Sequence, residues 1–154
     1  PGDNYNPETS HVMASLIRKF YLAKKGSLPS VTCWGSGTPY REFLYSDDLG
    51  SATIFALENW DPNENNAPLD SNGIPHTFLN VGTGFEITIK ELAYKIAGLI
   101  EYKGNIIWDE KKPDGTPRKI LNSEKFKQLG WESTTSLDEG ILKSIENFEK
   151  GQVK

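Results

Sequence analysis

Cysteine, histidine and methionine are scarce in this chain of 154 residues, which has one Cys, two His and one Met. A single thiol, Cys33, excludes an internal disulfide and fits a reducing compartment such as the cytoplasm. One Cys and two His supply no zinc-type ligand cluster, so no metal is expected. Cations are in deficit, 17 Lys and Arg against 21 Asp and Glu for a net charge of -4. Phosphate-backbone affinity comes from clustered Lys and Arg, so a nucleic-acid partner is not expected, and any anionic ligand must be held by a few local cations. There is no apolar run long enough to cross a bilayer and no signal-like segment, which leads to the expectation of a soluble protein without a membrane partner. GxGxxG, the Walker loop and GxSxG are also missing. If a nucleotide cofactor is used, its main binding half lies elsewhere. The length suits one domain, and the start at Pro1 without an initiator Met reads as a piece of a longer protein.

What is present alternates between two periods. Residues 1–7 are loop chemistry, and Glu8, Thr9 and Ser10 can start a helix whose Val12, Leu16, Lys19 and Phe20 recur at helical spacing until Gly26 and Pro29 end it. Val31 to Trp34 and Arg41 to Tyr45 read as strands, and Ser46 or Asp47 as the cap of a helix running through Leu57, with Asp47 and Asp48 as cap residues. The polar stretch 61–73 is an exposed loop or insertion. Thr77 to Val81 has the composition of a buried strand ending on Gly82-Thr83-Gly84, and Thr88 starts an amphipathic helix with Ile89, Leu92, Ile96, Leu99 and Ile100 on its apolar face. Ile106 to Trp108 makes a further short strand, 111–119 a loop with four cations around Asp114, and 123–129 and 137–148 two closing helices. Strands alternating with helices indicate an α/β class, with too few long apolar strands for a complete doubly wound sheet.

One stretch, CWGSGTPYREFLYSDDL from Cys33 to Leu49, mixes unusual residue types. Gly35, Ser36, Gly37 and Pro39 are turn formers, so Trp34 and Arg41 stand on either side of one tight reversal. An apolar ring and a forked cation then face the same space. Local pattern alone also admits Trp34 as a core anchor and Arg41 as a solvated strand residue.

Four stretches in order, PGDNYNPETSHVMASLIRKF (1–20), VTCWGSGTPYREFLYSDDL (31–49), FLNVGTG (78–84) and KPDGTPRK (112–119), followed by Leu129-Gly130-Trp131, resemble one family. It is the GDP-L-fucose synthases, the GDP-4-keto-6-deoxymannose epimerase-reductases of the extended short-chain dehydrogenase/reductase group. REFLYSDDL and NVGTG are shared by many nucleotide-sugar epimerases, whereas the SHV segment combined with KPDGTPRK is specific. The resemblance implies an incomplete Rossmann-type fold. Residues 1–154 would be the carboxy-terminal, substrate-binding half, with elements at about 41–58 and 77–84 returning to an NADP-binding domain whose amino-terminal part lies outside this sequence. It also implies NADP as cofactor, GDP-4-keto-6-deoxy-D-mannose as substrate, GDP-L-fucose as product, and a cytoplasmic homodimer for the complete enzyme.

For individual residues, the resemblance makes His11 the general acid of epimerisation and places it beside the nicotinamide cofactor. An imidazole suits that task because its ordinary pKa lies near neutrality. Lys19 lies two helical turns beyond His11, where a substrate along the helix could meet both. Arg41 and Lys119 match the family's pyrophosphate clamps, and Trp34 can pack on the nucleotide. Asp114 matches a substrate-contacting position, or else only orders its turn. Cys33 does not match the family's catalytic Cys and takes a structural role. Two other readings remain open: an enzyme of the same group acting on a UDP- or dTDP-sugar, and a nucleotide-sugar binding module without catalysis.

Overall fold

The computed structural model describes residues 2–65 and 67–152. The elements are α1 (Val12–Lys25), β1 (Ser30–Trp34), β2 (Tyr40–Glu42), α2 (Ser46–Asn59), β3 (Glu86–Thr88), α3 (Ile89–Ile100), β4 (Asn105–Asp109), β5 (Arg118–Lys119), α4 (Glu124–Gln128) and α5 (Leu137–Gln152), so the strand expected over Arg41 to Tyr45 stops at Glu42, and β3 and β5 are strands not expected from the sequence. Among the described residues the strands form two small sheets, β1-β4 and β3-β2-β5. The class is therefore mixed α/β with a partial sheet. The chain divides into two units, one of Pro1–Arg41, Ile87–Arg118 and Asp138–Lys154, the other of Glu42–Glu86 and Lys119–Leu137.

The first unit is built on two helices and a parallel strand pair. α1 contains neither Gly nor Pro, and its spacing buries Ala14, Leu16, Ile17, Phe20 and Ala23 on one face, while Lys24 and Lys25 in the last turn complement the helix dipole. In β1 the period of two buries Val31 and Cys33 and leaves Thr32 and Trp34 exposed. β1 runs parallel to β4 in a register from Ser30 opposite Asn105 to Trp34 opposite Asp109. α3 starts where expected. The Thr88 hydroxyl accepts from Glu91 N–H at 3.1 Å, and the Glu91 carboxylate accepts from Thr88 N–H at 2.9 Å. That reciprocal cap fixes the helix start, and Leu92, Ala93, Ile96, Ala97 and Ile100 are buried behind it. α1 packs on both α3 and β1. Ile141, Ile145 and Phe148 of α5 join the core, and the Phe148 ring meets Tyr5 at 4.6 Å and Tyr21 at 5.4 Å.

The second unit has a smaller core. Ala52, Phe126 and Trp131 are buried, with Leu44, Phe55, Ala56, Leu79, Val81 and Leu129 packed around them. Two expectations fail here. Residues 77–81 form no strand, and Phe78 is 68% exposed. A strand needs a paired neighbour, and among the described residues this stretch has none; its composition alone could not show that. Asp48 is not a cap either. Tyr45 occupies the N-cap position of α2, and Asp47 and Asp48 lie in its first turn. Asp48 is only 3% exposed, and its carboxylate accepts from Thr134 N–H, the Thr134 hydroxyl and Thr135 N–H at 3.2, 2.9 and 3.0 Å. Burial pushes this carboxyl up, and the bonds from Thr134 and Thr135 outweigh that, so it ends below the usual carboxylate range. Glu42 acts similarly, its two carboxylate oxygens accepting from Gly84 N–H at 2.7 Å and Leu121 N–H at 3.1 Å.

Candidate functional site

The first unit contains two cavities lined by sequence-predicted site residues. The larger, about 350 Å³, runs beside α1, where Ser15, Leu16 and Lys19 face Cys33, Trp34 and Trp108 from the strand pair. The smaller, about 180 Å³, is walled by Trp34, Gly37, Pro39 and Arg41 on one side and by Pro113 to Gly115 on the other. Val12, Trp34 and Ile89 line both, so the two cavities adjoin at these side chains.

The wall between Trp34 and Arg41 owes its shape to glycine and to Asp114. Gly35 and Gly37 have φ of 75° and 76°, a region closed to most side chains. A Cβ on Gly35 would collide with the Asp114 carboxylate, and one on Gly37 would come within 2.7 Å of the Trp108 ring. Asp114 accepts from Ser36 N–H at 2.9 Å and from the Ser36 hydroxyl at 2.7 Å. Those Ser36 bonds, the hydroxyl first, hold its carboxyl below the usual range. Arg41 reaches the same loop from the other end, donating through Nη1 to Tyr40 O at 2.6 Å and Thr116 O at 2.7 Å. Segments 34–41 and 112–116 are thus tied at two points into one wall.

Trp34 is 63% exposed, which rules out the core-anchor reading, and the carbonyl bonds of Arg41 rule out a purely solvated one. Two ammonium groups approach the Trp34 ring, Lys19 at 5.7 Å and Lys112 at 5.1 Å from its centroid. Lys19 also donates to Thr32 O at 3.0 Å. Cys33 is 2% exposed; burial pushes its thiol up and the nearby Lys19 charge opposes this more weakly. An exposed indole with cations around it, over a groove floored by apolar side chains, can stack a planar group and hold a negative one.

Lys19 and Trp34 line the larger cavity, and Trp34, Arg41 and Asp114 line the smaller. The structure does not bring His11 onto either lining. His11 is the N-cap residue of α1, with an exposed side chain that makes no cap hydrogen bond. Lys119 is an exposed residue of β5 and falls in the second unit. Ser36, Trp108 and Lys112 were not assigned from sequence. The register Cys33 opposite Trp108 carries Trp108 to the groove, and only the folded loop identifies Ser36 as the partner of Asp114. Among the described residues no group of three or more His, Cys, Asp or Glu could hold a metal, and no helix is long and apolar enough to cross a membrane.

Comparison with known proteins places these features in a family context. Residues 1–69 match the model of the NAD dependent epimerase/dehydratase family. The chain is 43% identical over 156 aligned positions to a GDP-L-fucose synthase of Escherichia coli, covering 99% of this chain and 46% of that protein. It is 42% identical over 144 positions to a probable GDP-L-fucose synthase of rice, covering 94% of this chain and 40% of that one. A solved GDP-L-fucose synthetase from Naegleria fowleri with NADP bound superposes with a TM-score of 0.79 at 26% identity, over 100% of this chain and 44% of its own. The chain thus spans less than half the length of each of these relatives.

Proposed function

As a homologue of the GDP-L-fucose synthases over nearly its whole length, the chain is, we propose, the GDP-sugar-binding, carboxy-terminal half of such an enzyme. The complete enzyme would epimerise GDP-4-keto-6-deoxy-D-mannose at C3 and C5 and reduce C4 with NADPH to GDP-L-fucose. The observation that carries this reading is Trp34, an indole 63% exposed that lines one cavity with Lys19 and the adjoining one with Arg41. Trp34 covers the nucleotide, and Lys19 and Arg41 hold its diphosphate. Lys119 is a phosphate ligand by the family resemblance alone. Asp114 acts first by ordering the wall through Ser36, and its exposed carboxylate can accept from a guanine N–H or a sugar hydroxyl.

The division between Arg41 and Glu42, and again between Glu86 and Ile87, supports assigning 41–58 and 77–84 to elements that return to a cofactor domain. The single, buried Cys33 supports a cytoplasmic setting.

In the reaction, the C4 ketone acidifies the neighbouring C–H bonds, so a proton can pass from carbon to a base, which a part of the enzyme outside this chain would supply. His11 returns a proton to the sugar carbon, for which an exposed imidazole engaged in no cap bond is available. The same free imidazole fits a place beside the nicotinamide; bound NADPH supplies the hydride. His11→Asn in the complete enzyme should slow solvent deuterium incorporation into the sugar more than hydride transfer. Normal incorporation with lost reduction would remove the acid role.

Competition titration of the chain with GDP, UDP and dTDP tests the ligand class. GDP should bind at least tenfold tighter, a difference of about 1.4 kcal/mol. Equal affinity for the three would contradict it.

A further inference from the structure

Lys112 is a cation with no task in the reading above. Its main-chain N–H donates to Asp109 O at 3.0 Å, fixing the residue just past β4, and its ammonium stands 5.1 Å from the centroid of the Trp34 ring. Lys19 stands 5.7 Å from the same centroid. Two like charges thus converge on one exposed ring, in a chain whose net charge is -4, so a general excess of cations does not account for them. Two cations near one ring raise the local positive potential, and an arriving anion lowers it.

We propose that Lys112 is a further ligand-binding residue, which pairs with the diphosphate of a nucleoside diphosphate seated against Trp34. This rests on the GDP-sugar reading given above. A cation over an exposed ring is held more weakly than one in a charge-assisted bond to phosphate, so the exchange is downhill. Lys19 donates to Thr32 O and Arg41 to Tyr40 O and Thr116 O. Lys112 thus supplies the mobile charge and those two the fixed ones.

The test is calorimetric titration of the 154-residue chain, as wild type, Lys112→Gln and Lys112→Arg, with GDP and with guanosine. Lys112→Gln should weaken GDP about tenfold, the order of one hydrogen bond to a charged group, and leave guanosine unchanged. Lys112→Arg should stay within about threefold of wild type, because the charge is kept. The Lys112→Gln deficit should shrink as salt rises from 0.05 to about 0.5 M, as screening requires. Unchanged GDP affinity in Lys112→Gln, or an equal loss for guanosine, would overturn the assignment while leaving the GDP-sugar reading intact. A wild-type chain that binds no GDP would overturn that reading, and this inference with it.

Discussion

The two units use charge in opposite ways. In the first, cations gather at an opening: Lys19 and Lys112 approach an exposed indole, Arg41 lines a cavity with it, and the core holds Ile17, Phe20, Leu92, Ile96 and Ile141. In the second, carboxylates fasten the chain to itself. Asp48 holds 134–135 and Glu42 holds Gly84 and Leu121, around a core whose buried members are Ala52, Phe126 and Trp131. A unit with a large core can leave its polar groups for a ligand. One with a small core needs them for folding, since each unmet buried donor costs about 1–3 kcal/mol.

The strongest way to break this comparison is to empty the smaller core. Phe126→Ala should cost about 3–5 kcal/mol, the usual range for deleting a buried aromatic. Hydrogen exchange should then show protection lost in α2 and α4 and kept in α1 and α3. Equal loss in α1 and α3 would mean that the cores are not separable.

A smaller effect comes from the fasteners. Asp48→Asn turns an amide toward backbone N–H donors and should destabilise by about 1–3 kcal/mol. The same carboxylate predicts a pH dependence. Its folded pKa lies below its unfolded value, so its stabilisation is complete well above the ordinary Asp pKa of about 3.9 and is lost as pH falls through the folded value. Acid unfolding of wild type and Asp48→Asn, followed by circular dichroism, should show the stability gap narrowing below roughly pH 4. A gap that stays constant through that window would contradict the assignment.

The smallest expected effect is on the groove side. Asp114→Ala removes both bonds to Ser36 and should weaken GDP binding a few-fold, as about one or two exposed bonds allow, with little change in melting temperature. A large loss of stability would make Asp114 a fastener like Asp48 and blur the contrast between the units.

Much of this was readable from the chain. Apolar spacing placed α1, α3 and α5, Thr88 marked a helix start, and the Gly-Ser-Gly turn put Trp34 and Arg41 on one space. Periodicity and capping are local, so a sequence displays them. Long-range partners are not local. Asp48 bonds a segment 86 residues away, and Asp114 one 78 residues away, so an acid at a helix start and an acid in a turn looked alike. The 77–81 stretch was misjudged for the same reason, since its apolar composition does not reveal whether a neighbouring strand is there to pair with it.

The central claim is that the Trp34 and Arg41 wall of the first unit is the seat of GDP. Calorimetric titration of GDP into wild type, Arg41→Ala and Trp34→Ala at two ionic strengths tests it most directly. Arg41→Ala should lose about tenfold or more in affinity, within the range of a charge-assisted bond, and less at high salt. Trp34→Ala should lose affinity with little salt dependence, because stacking is not screened. Wild-type affinity in both variants would contradict the account.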